Sequence, residues 1–370
     1  MKQIPRDDIM QMGLALLKIM GERMHFKSTL LNCFRTFNIT MMVVNLFFVL
    51  AYYPQIGADY AKYIKSTECA LTIIHVIIKY SLFIYHKRNI EDLLDHLLEF
   101  WDYNSYGDNI RLTTSTLFRN VKVGQFYYSI VTLACIALVF LKPYVNPDNR
   151  FLFVCWTFSG STELETTVLA CQYYFWSILY PIVLGYDSVY FSYSMHIIVQ
   201  VRLLKQRLQN IPSNVHIEEI VTCINHHKLL ISIFARMGII YFWMLLLHYF
   251  ITLVTGCSLL YVILLGAADN ADLFATIFYL IGLFIQFAYY SFPVEEIVFE
   301  LTDISRAIYM SNWYEQNVKI KKILLFMMMK SQRQNYLSAG GIIDINVDAF
   351  GSVCRKAFSF YALLKTVIDR

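Results

Sequence analysis

The 370 residues are 57% hydrophobic and only 16% charged, with a net charge of +4 and a mean hydropathy of +0.48. A soluble domain carries about 25% charged and 45–50% apolar residues, so the composition excludes an ordinary soluble domain. The modest charge, with no basic stretch interleaved with aromatics, excludes nucleic acid as a partner.

The apolar residues gather into long runs, the pattern of a polytopic membrane protein. In the first thirty residues Lys2, Arg6, Asp7, Asp8, Lys18, Glu22 and Arg23 interrupt every candidate apolar core, so no signal peptide is expected there. A helix needs roughly 20 apolar residues to cross a hydrocarbon core about 30 Å thick. Runs near that length occupy 37–53, 67–85, 124–144, 166–199, 238–265 and 271–293, with a seventh candidate at 345–368. The eight cysteines include no CxxC pair. Cys155 and Cys171 flank one polar loop and could pair if that loop is extracellular, although membrane cysteines more often act as small hydrophobes.

Basic residues set the orientation. A cytoplasmic N-terminus puts most of the 31 Lys and Arg in inner segments. It leaves Lys62, Lys65, Lys142, Arg150, Lys365 and Arg370 outside, and Lys79, Arg355 and Lys356 within membrane runs. The C-terminus is then extracellular, the reverse of a G-protein-coupled receptor.

The inner segments are structured. SYSMHIIVQVRLLKQRLQNI (Ser192–Ile211) keeps helical apolar spacing past the membrane until Pro212, and Ile217–Met237 resumes it. His226 and His227 adjoin on this helix and point in different directions, which suits solvated cytoplasmic side chains and not a metal site. Glu295–Tyr309 continues the sixth span as an amphipathic helix carrying Glu295, Glu296, Glu300 and Asp303. The apolar stretch Ile323–Met329 is too short to cross a bilayer and reads as a buried cytoplasmic helix suited to subunit contact. Gly340 and Gly341 are expected to break the helix after it. Segments 200–237 and 295–340 thus form a helical intracellular domain, and the fold class is all-α with seven transmembrane helices.

The closing stretch FGSVCRKAFSFYALLKTVIDR (Phe350–Arg370) holds two cations amid apolar residues. From Ala357 to Ile368 a helix reaches roughly 18 Å, too short to span. Starting near Ile345 gives the length but places Arg355 and Lys356 near mid-depth. A charge there costs at least about 2.5–3.5 kcal/mol unless it meets water or protein. At 100° per residue Asp348, Ser352, Arg355, Ser359, Leu363 and Thr366 share one stripe with Lys356 at its edge, opposite Phe350, Val353, Phe360 and Leu364. Within one chain Asp187 is the best carboxylate partner for Arg355. A stripe shared around a symmetry axis fits better, and it reads as a pore wall.

Several stretches together resemble the insect odorant receptors of the seven-transmembrane family. They are GYDSVYFSYSMHIIVQVRLLKQRLQNI (Gly185–Ile211), NHHKLL (Asn225–Leu230), SNWYE (Ser311–Glu315), SAGG (Ser338–Gly341) and FSFYALL (Phe358–Leu364). The resemblance covers nearly the whole chain; it is their order and spacing that is specific. It implies an odorant-binding tuning subunit of a ligand-gated, non-selective cation channel. This subunit would join the odorant receptor co-receptor in a heterotetramer in the plasma membrane of olfactory neuron dendrites, with no cofactor. It implies that the helix at Ile323–Met329 joins a central anchor and that Leu363 serves as the gate. Tuning subunits often carry one basic residue at the position of Arg355; Lys356 is an addition. The implied odorant pocket lies between the second, third, fourth and sixth spans, at His75, Ile78, Thr132, Ile136, Tyr173, Tyr174, Ser177, Thr276 and Tyr279. Such a pocket suits a small volatile ligand, and Tyr279 is its leading residue. Each aromatic of QYYFWSILY (Gln172–Tyr180) is as readily explained by lipid or helix packing.

Rival classes leave other marks. A transporter would carry paired inverted repeats with broken helices, and none is visible. Glu163, Glu165, Asp187 and His196 are too scattered to form an enzyme site. A homomeric gustatory-type channel shares the architecture, and a metabotropic receptor is the more distant alternative.

Overall fold

The computed structural model describes residues 9–22, 29–57, 60–145, 151–153, 155–156, 162–265, 270–333 and 336–368. Among the described residues six helices are long and apolar enough to cross a membrane. They belong to α2 (Thr29–Tyr52), α3 (Tyr60–Asp95), α4 (Asp108–Val145), α5 (Thr162–Gln209), α6 (Ile217–Leu265) and α7 (Asn270–Tyr309). Each holds most or all of one expected run and extends beyond it, α2, α4 and α6 mainly before the run and α3, α5 and α7 mainly after it, because amphipathic sequence adjoins the apolar core without a breaker. The 49 residues of α6 join 217–237 to the run 238–265. Likewise α7 carries the run 271–293 through Pro293 into Glu295–Tyr309. The 48 residues of α5 extend about 72 Å, far more than a bilayer needs.

The seventh candidate is α9 (Val347–Ile368), 22 residues or about 33 Å of unbroken helix. It is long enough to cross, but Asp348, Arg355, Lys356 and Lys365 separate it from the six apolar helices. Before it, α8 (Val318–Ser331) starts on an Asn317 side chain that accepts from the Ile320 N–H.

Two elements differ from the expectation. Residues Gln11–Ile19 form α1, which no apolar run announced. It packs on α5 where Gly13 meets Gly185, so closely that a Cβ on Gly13 would lie 2.9 Å from the Gly185 carbonyl oxygen. Gly340 and Gly341 do not simply end a helix, since α8 has already stopped at Ser331. They turn an antiparallel hairpin of β1 (Leu337–Ala339) and β2 (Ile343–Ile345), pairing Leu337 with Ile345. Both adopt positive φ, +61° and +70°, a region open to glycine at no steric cost. Among the described residues the fold is all-α apart from this hairpin.

Two apolar cores meet along α5. One joins α2, α3, α4 and the first half of α5. The larger joins the second half of α5 to α6, α7, α8 and the hairpin. Charged pairs knit its far end. Arg202 donates to Glu300 at 2.5 Å and to Glu296 at 2.6 Å, and Lys205 to Asp303 at 2.7 Å. The acidic face of α7 is therefore a partner surface for α5.

His226 and His227, expected in solvent, are instead 4% and 5% exposed. His226 stacks on Trp101 at 3.9 Å, and Arg207 lies over the same ring at 5.1 Å. Burial pushes both imidazoles down to about 4, with Arg207 adding to the effect on His226. Cys155 and Cys171 are free thiols, so the disulfide considered between them is not formed. The Cys155 sulfur accepts from Gln172 Nε2 at 3.1 Å.

Candidate ligand site and the buried ion pair beside it

Residues of α3, α4, α5 and α7 enclose two adjoining chambers in the half of the bundle that holds the loop at 151–153. The outer chamber, about 130 Å³, is lined by Cys69, Leu138, Phe175, Trp176 and Thr276 among others. The inner one, about 70 Å³, is lined by Val76, Val131, Ile136, Leu179, Val183 and Leu283 together with several polar groups. Thr72, Cys135, Trp176 and Tyr279 border both. On this shared border a hydroxyl–hydroxyl bond of 2.6 Å joins Thr72 to Tyr279. A cavity of about 150 Å³ holds a benzene molecule. Neither chamber alone reaches that volume, whereas the two together exceed it.

The polar lining of the inner chamber is sparse and specific. His75, 4% exposed, presents an Nε2 with no hydrogen-bond partner among the described residues, and the Trp176 Nε1 is likewise unpartnered. A buried polar group left unpaired is unfavourable, so both are groups that a ligand oxygen or nitrogen would satisfy. The His75 ring packs edge-on to His248 at 4.7 Å.

Tyr128 and Gln286 also line the inner chamber, and both turn away from it to the Asp187 carboxylate. Tyr128 donates to Oδ2 at 3.1 Å and Gln286 Nε2 at 2.8 Å. On Oδ1, Asp187 accepts from Tyr290 and pairs with Lys79. Lys79 and Asp187 have fully buried side chains. A buried ion pair persists only where its remaining hydrogen-bonding capacity is met, and beside Lys79 three further donors meet that of the Asp187 carboxylate. Asp187 is therefore committed to Lys79, not to Arg355 as the single-chain alternative required. The sign available in the sequence was a lone cation in one apolar run and a lone acid in another.

The expected pocket residues divide. His75, Thr132, Ile136 and Tyr279 line the inner chamber, and Thr276 and Tyr279 the outer. Ile78, Tyr173, Tyr174 and Ser177 are not among the lining residues. Tyr174 donates to Asn38 at 2.5 Å and packs on Phe37, Tyr173 packs edge-on to Phe140, and Ser177 donates to the Tyr173 carbonyl. These are contacts toward α2 and α4 or back onto α5, because a helix offers only part of its circumference to a cavity. Thr72, Tyr128 and Gln286 also line the inner chamber and were not singled out from sequence, while Trp176 and Leu179 reach it from the stretch Gln172–Tyr180.

On α9 the buried positions are Ala349, Val353 and Ala357, where the helix packs on α6, while Phe350 stacks on Phe287 at 6.0 Å. Asp348, Arg355, Ser359, Leu363 and Thr366 are exposed on the single chain, and Ser352 is half-buried. Lys356, at the stripe's edge, donates to the Tyr249 hydroxyl at 2.8 Å. Tyr249 follows His248 on α6, so one short stretch of that helix touches both His75 and α9.

A family model described as 7tm Odorant receptor matches residues 59–358. Odorant receptor 30a of Drosophila melanogaster is 25% identical over 185 residues, 49% of this chain and 49% of that protein. Odorant receptor Or2 of Anopheles gambiae is 22% identical over 352 residues, 90% of this chain and 91% of that one. The chain spans about half the length of the first curated relatives it matches. Among solved structures, the insect olfactory receptor OR5 from Machilis hrabei superposes with a TM-score of 0.84 at 15% identity, covering 96% of this chain and 97% of that one. Its complex with eugenol also scores 0.84.

Proposed function

The chain belongs to the 7tm odorant receptor family of insects, and from that membership we propose that it is the odorant-binding subunit of a ligand-gated, non-selective cation channel. Its ligand is a small, volatile, largely apolar molecule that fills the two chambers. Aliphatic and aromatic side chains supply most of the contact, with His75 Nε2 and Trp176 Nε1 as polar anchors. The N-terminus and the helical extensions at 200–237 and 295–340 lie in the cytoplasm, and α9 is the seventh crossing. Its exposed stripe, Asp348 through Thr366, faces the conduction path of an assembly with the co-receptor, and Leu363 closes that path at rest. The receptor acts in the plasma membrane of olfactory neuron dendrites.

The observation that carries this reading is one chain holding a mostly apolar cavity between its helices and, on α9, an outward-facing polar stripe that only water or another subunit can satisfy. The match to OR5, whose structure is also solved with eugenol, supports ligand binding by this fold. The test is voltage-clamp recording from oocytes under a panel of volatiles, with and without the co-receptor. Odorant-evoked current is expected only on co-expression, and Tyr279→Ala should raise the half-maximal concentration without loss of surface protein. Current from the chain alone would indicate a homomeric channel. Second-messenger signalling without current would indicate a metabotropic receptor.

A further inference from the structure

A separate groove of about 340 Å³ lies far from the ligand chambers, bounded by α6, α7, the end of α8 and the hairpin. Its α6 wall is a stripe of Ile231, Phe234, Gly238 and Phe242, three or four residues apart on one helix face, with Ile239 beside it. With His227 at its start the stripe extends about 22 Å along the axis, from the part of α6 before residue 238 into the membrane run 238–265. Two contacts fix the level of what faces it. A Cβ on Gly238 would lie 3.2 Å from Leu337 Cδ2, and one on Gly340 would meet Leu246. The hairpin therefore sits at the start of the membrane run. The end of α8 lies just before it, with Lys330 and Arg333 exposed on the groove. That level is where lipid headgroups lie.

The groove also holds an unsatisfied group. His227 lines it, is 5% exposed, and has an Nε2 without a hydrogen-bond partner among the described residues. Held neutral by burial, its imidazole can give or take one hydrogen bond. A slot with an apolar wall leading into the bilayer, two cations at headgroup depth and an unpartnered imidazole is complementary to one kind of molecule.

We propose that this groove binds an anionic glycerophospholipid of the adjoining leaflet, its phosphate between Lys330 and Arg333 and one acyl chain along Gly238, Ile239 and Phe242. The inference rests on the cytoplasmic placement of the 200–237 and 295–340 segments and is independent of odorant recognition. A soluble phosphate would use the cations but leave the apolar wall uncovered. A neutral lipid would cover the wall but leave the cations without a counter-charge. Each Lys or Arg near a membrane surface favours anionic lipid by about fivefold.

The test uses the full chain co-assembled with the co-receptor in phosphatidylcholine nanodiscs. Each disc is doped with phosphatidylserine or phosphatidylcholine carrying a photoreactive diazirine chain, and labelled peptides are mapped by mass spectrometry. Peptides spanning 231–242 should take up the serine lipid at least about tenfold more than the choline lipid. Replacing both cations (Lys330→Gln with Arg333→Gln) should bring the ratio to within about twofold, while Lys322→Gln, elsewhere on α8, should leave it unchanged. Millimolar inorganic phosphate should not displace the label. Equal labelling by the two lipids in the unmodified complex overturns the inference, and so does displacement by phosphate. The unmodified ratio decides the matter even if the double variant does not assemble.

Discussion

Removing one member of the Lys79–Asp187 pair leaves a lone charge in an apolar bundle, which costs about 3–5 kcal/mol, whereas removing both charges together is often neutral. Lys79→Met should therefore sharply lower the melting temperature of the purified receptor complex and its surface level. Adding Asp187→Asn should restore most of both, because the amide oxygen can still accept from Tyr128 and Gln286 while its NH2 group donates to the Tyr290 hydroxyl oxygen. Melting followed by fluorescence-detected size exclusion gives the comparison. A Lys79→Met receptor that melts like the original would mean that the pair does not hold the bundle. The imidazoles of His226 and His227 give a second result at this scale. Burial holds both at about 4 against roughly 6.5 in an unfolded chain. Between those values the unfolded state binds more protons, so stability is full above about pH 6.5 and is lost as pH falls toward about 4. Amide exchange in 217–237, corrected for the intrinsic rate, should accelerate from pH 7.5 to pH 5. Exchange that ignores this interval would contradict the burial of both rings.

Among the elements, α8 separates two kinds of face. Met328 is 7% exposed and packs within its own chain, whereas Leu325 is 49% exposed, beside the open side chains of Phe326 and Met329. Glutamate at Met328 should block folding of the chain itself, since a buried unpaired carboxylate is strongly unfavourable. Glutamate at Leu325 should spare the folded monomer and abolish assembly with the co-receptor. Native gels distinguish the two, and a tetramer that survives Leu325→Glu would remove α8 from the subunit interface.

Elements were also where the sequence was most legible. Each of the first six long apolar runs falls in a long apolar helix, and the angular stripe on α9 singled out Val353 as packed and Arg355 as open, which matches the burial of the one and the exposure of the other. Phe360, placed on the packed face, is 40% exposed. What could not be read depends on neighbours. The burial of α1 relies on a glycine-to-glycine approach to α5, and Lys79 and Asp187 are 108 residues apart. No periodicity within one run states which other run lies beside it. For the same reason His75 and Tyr279 reached the cavity lining, while Tyr173, Tyr174 and Ser177, on the right span, turned to α2, α4 or their own helix.

For the whole molecule the decisive feature is a pair of cations on the exposed side of α9. Four copies around an axis would ring one level with four copies of Arg355. Two unit charges about 8 Å apart repel by about 2 kcal/mol at an effective dielectric near 20, and a ring of cations favours anions. A homotetramer should conduct cations poorly, which gives a physical reason to dilute this chain with co-receptor subunits. Lys356, tied to Tyr249 on α6, contributes less to that field than the open Arg355. Leu363, exposed on the same stripe, should leak at rest when cut to alanine. The most direct measurement is the reversal potential of the odorant-evoked current in the co-expressed channel under a calcium gradient, compared between the unmodified chain and Arg355→Gln. A higher relative calcium permeability with unchanged surface protein is expected if α9 lines the path. Identical selectivity and conductance in the two channels, at equal surface level, would show that it does not.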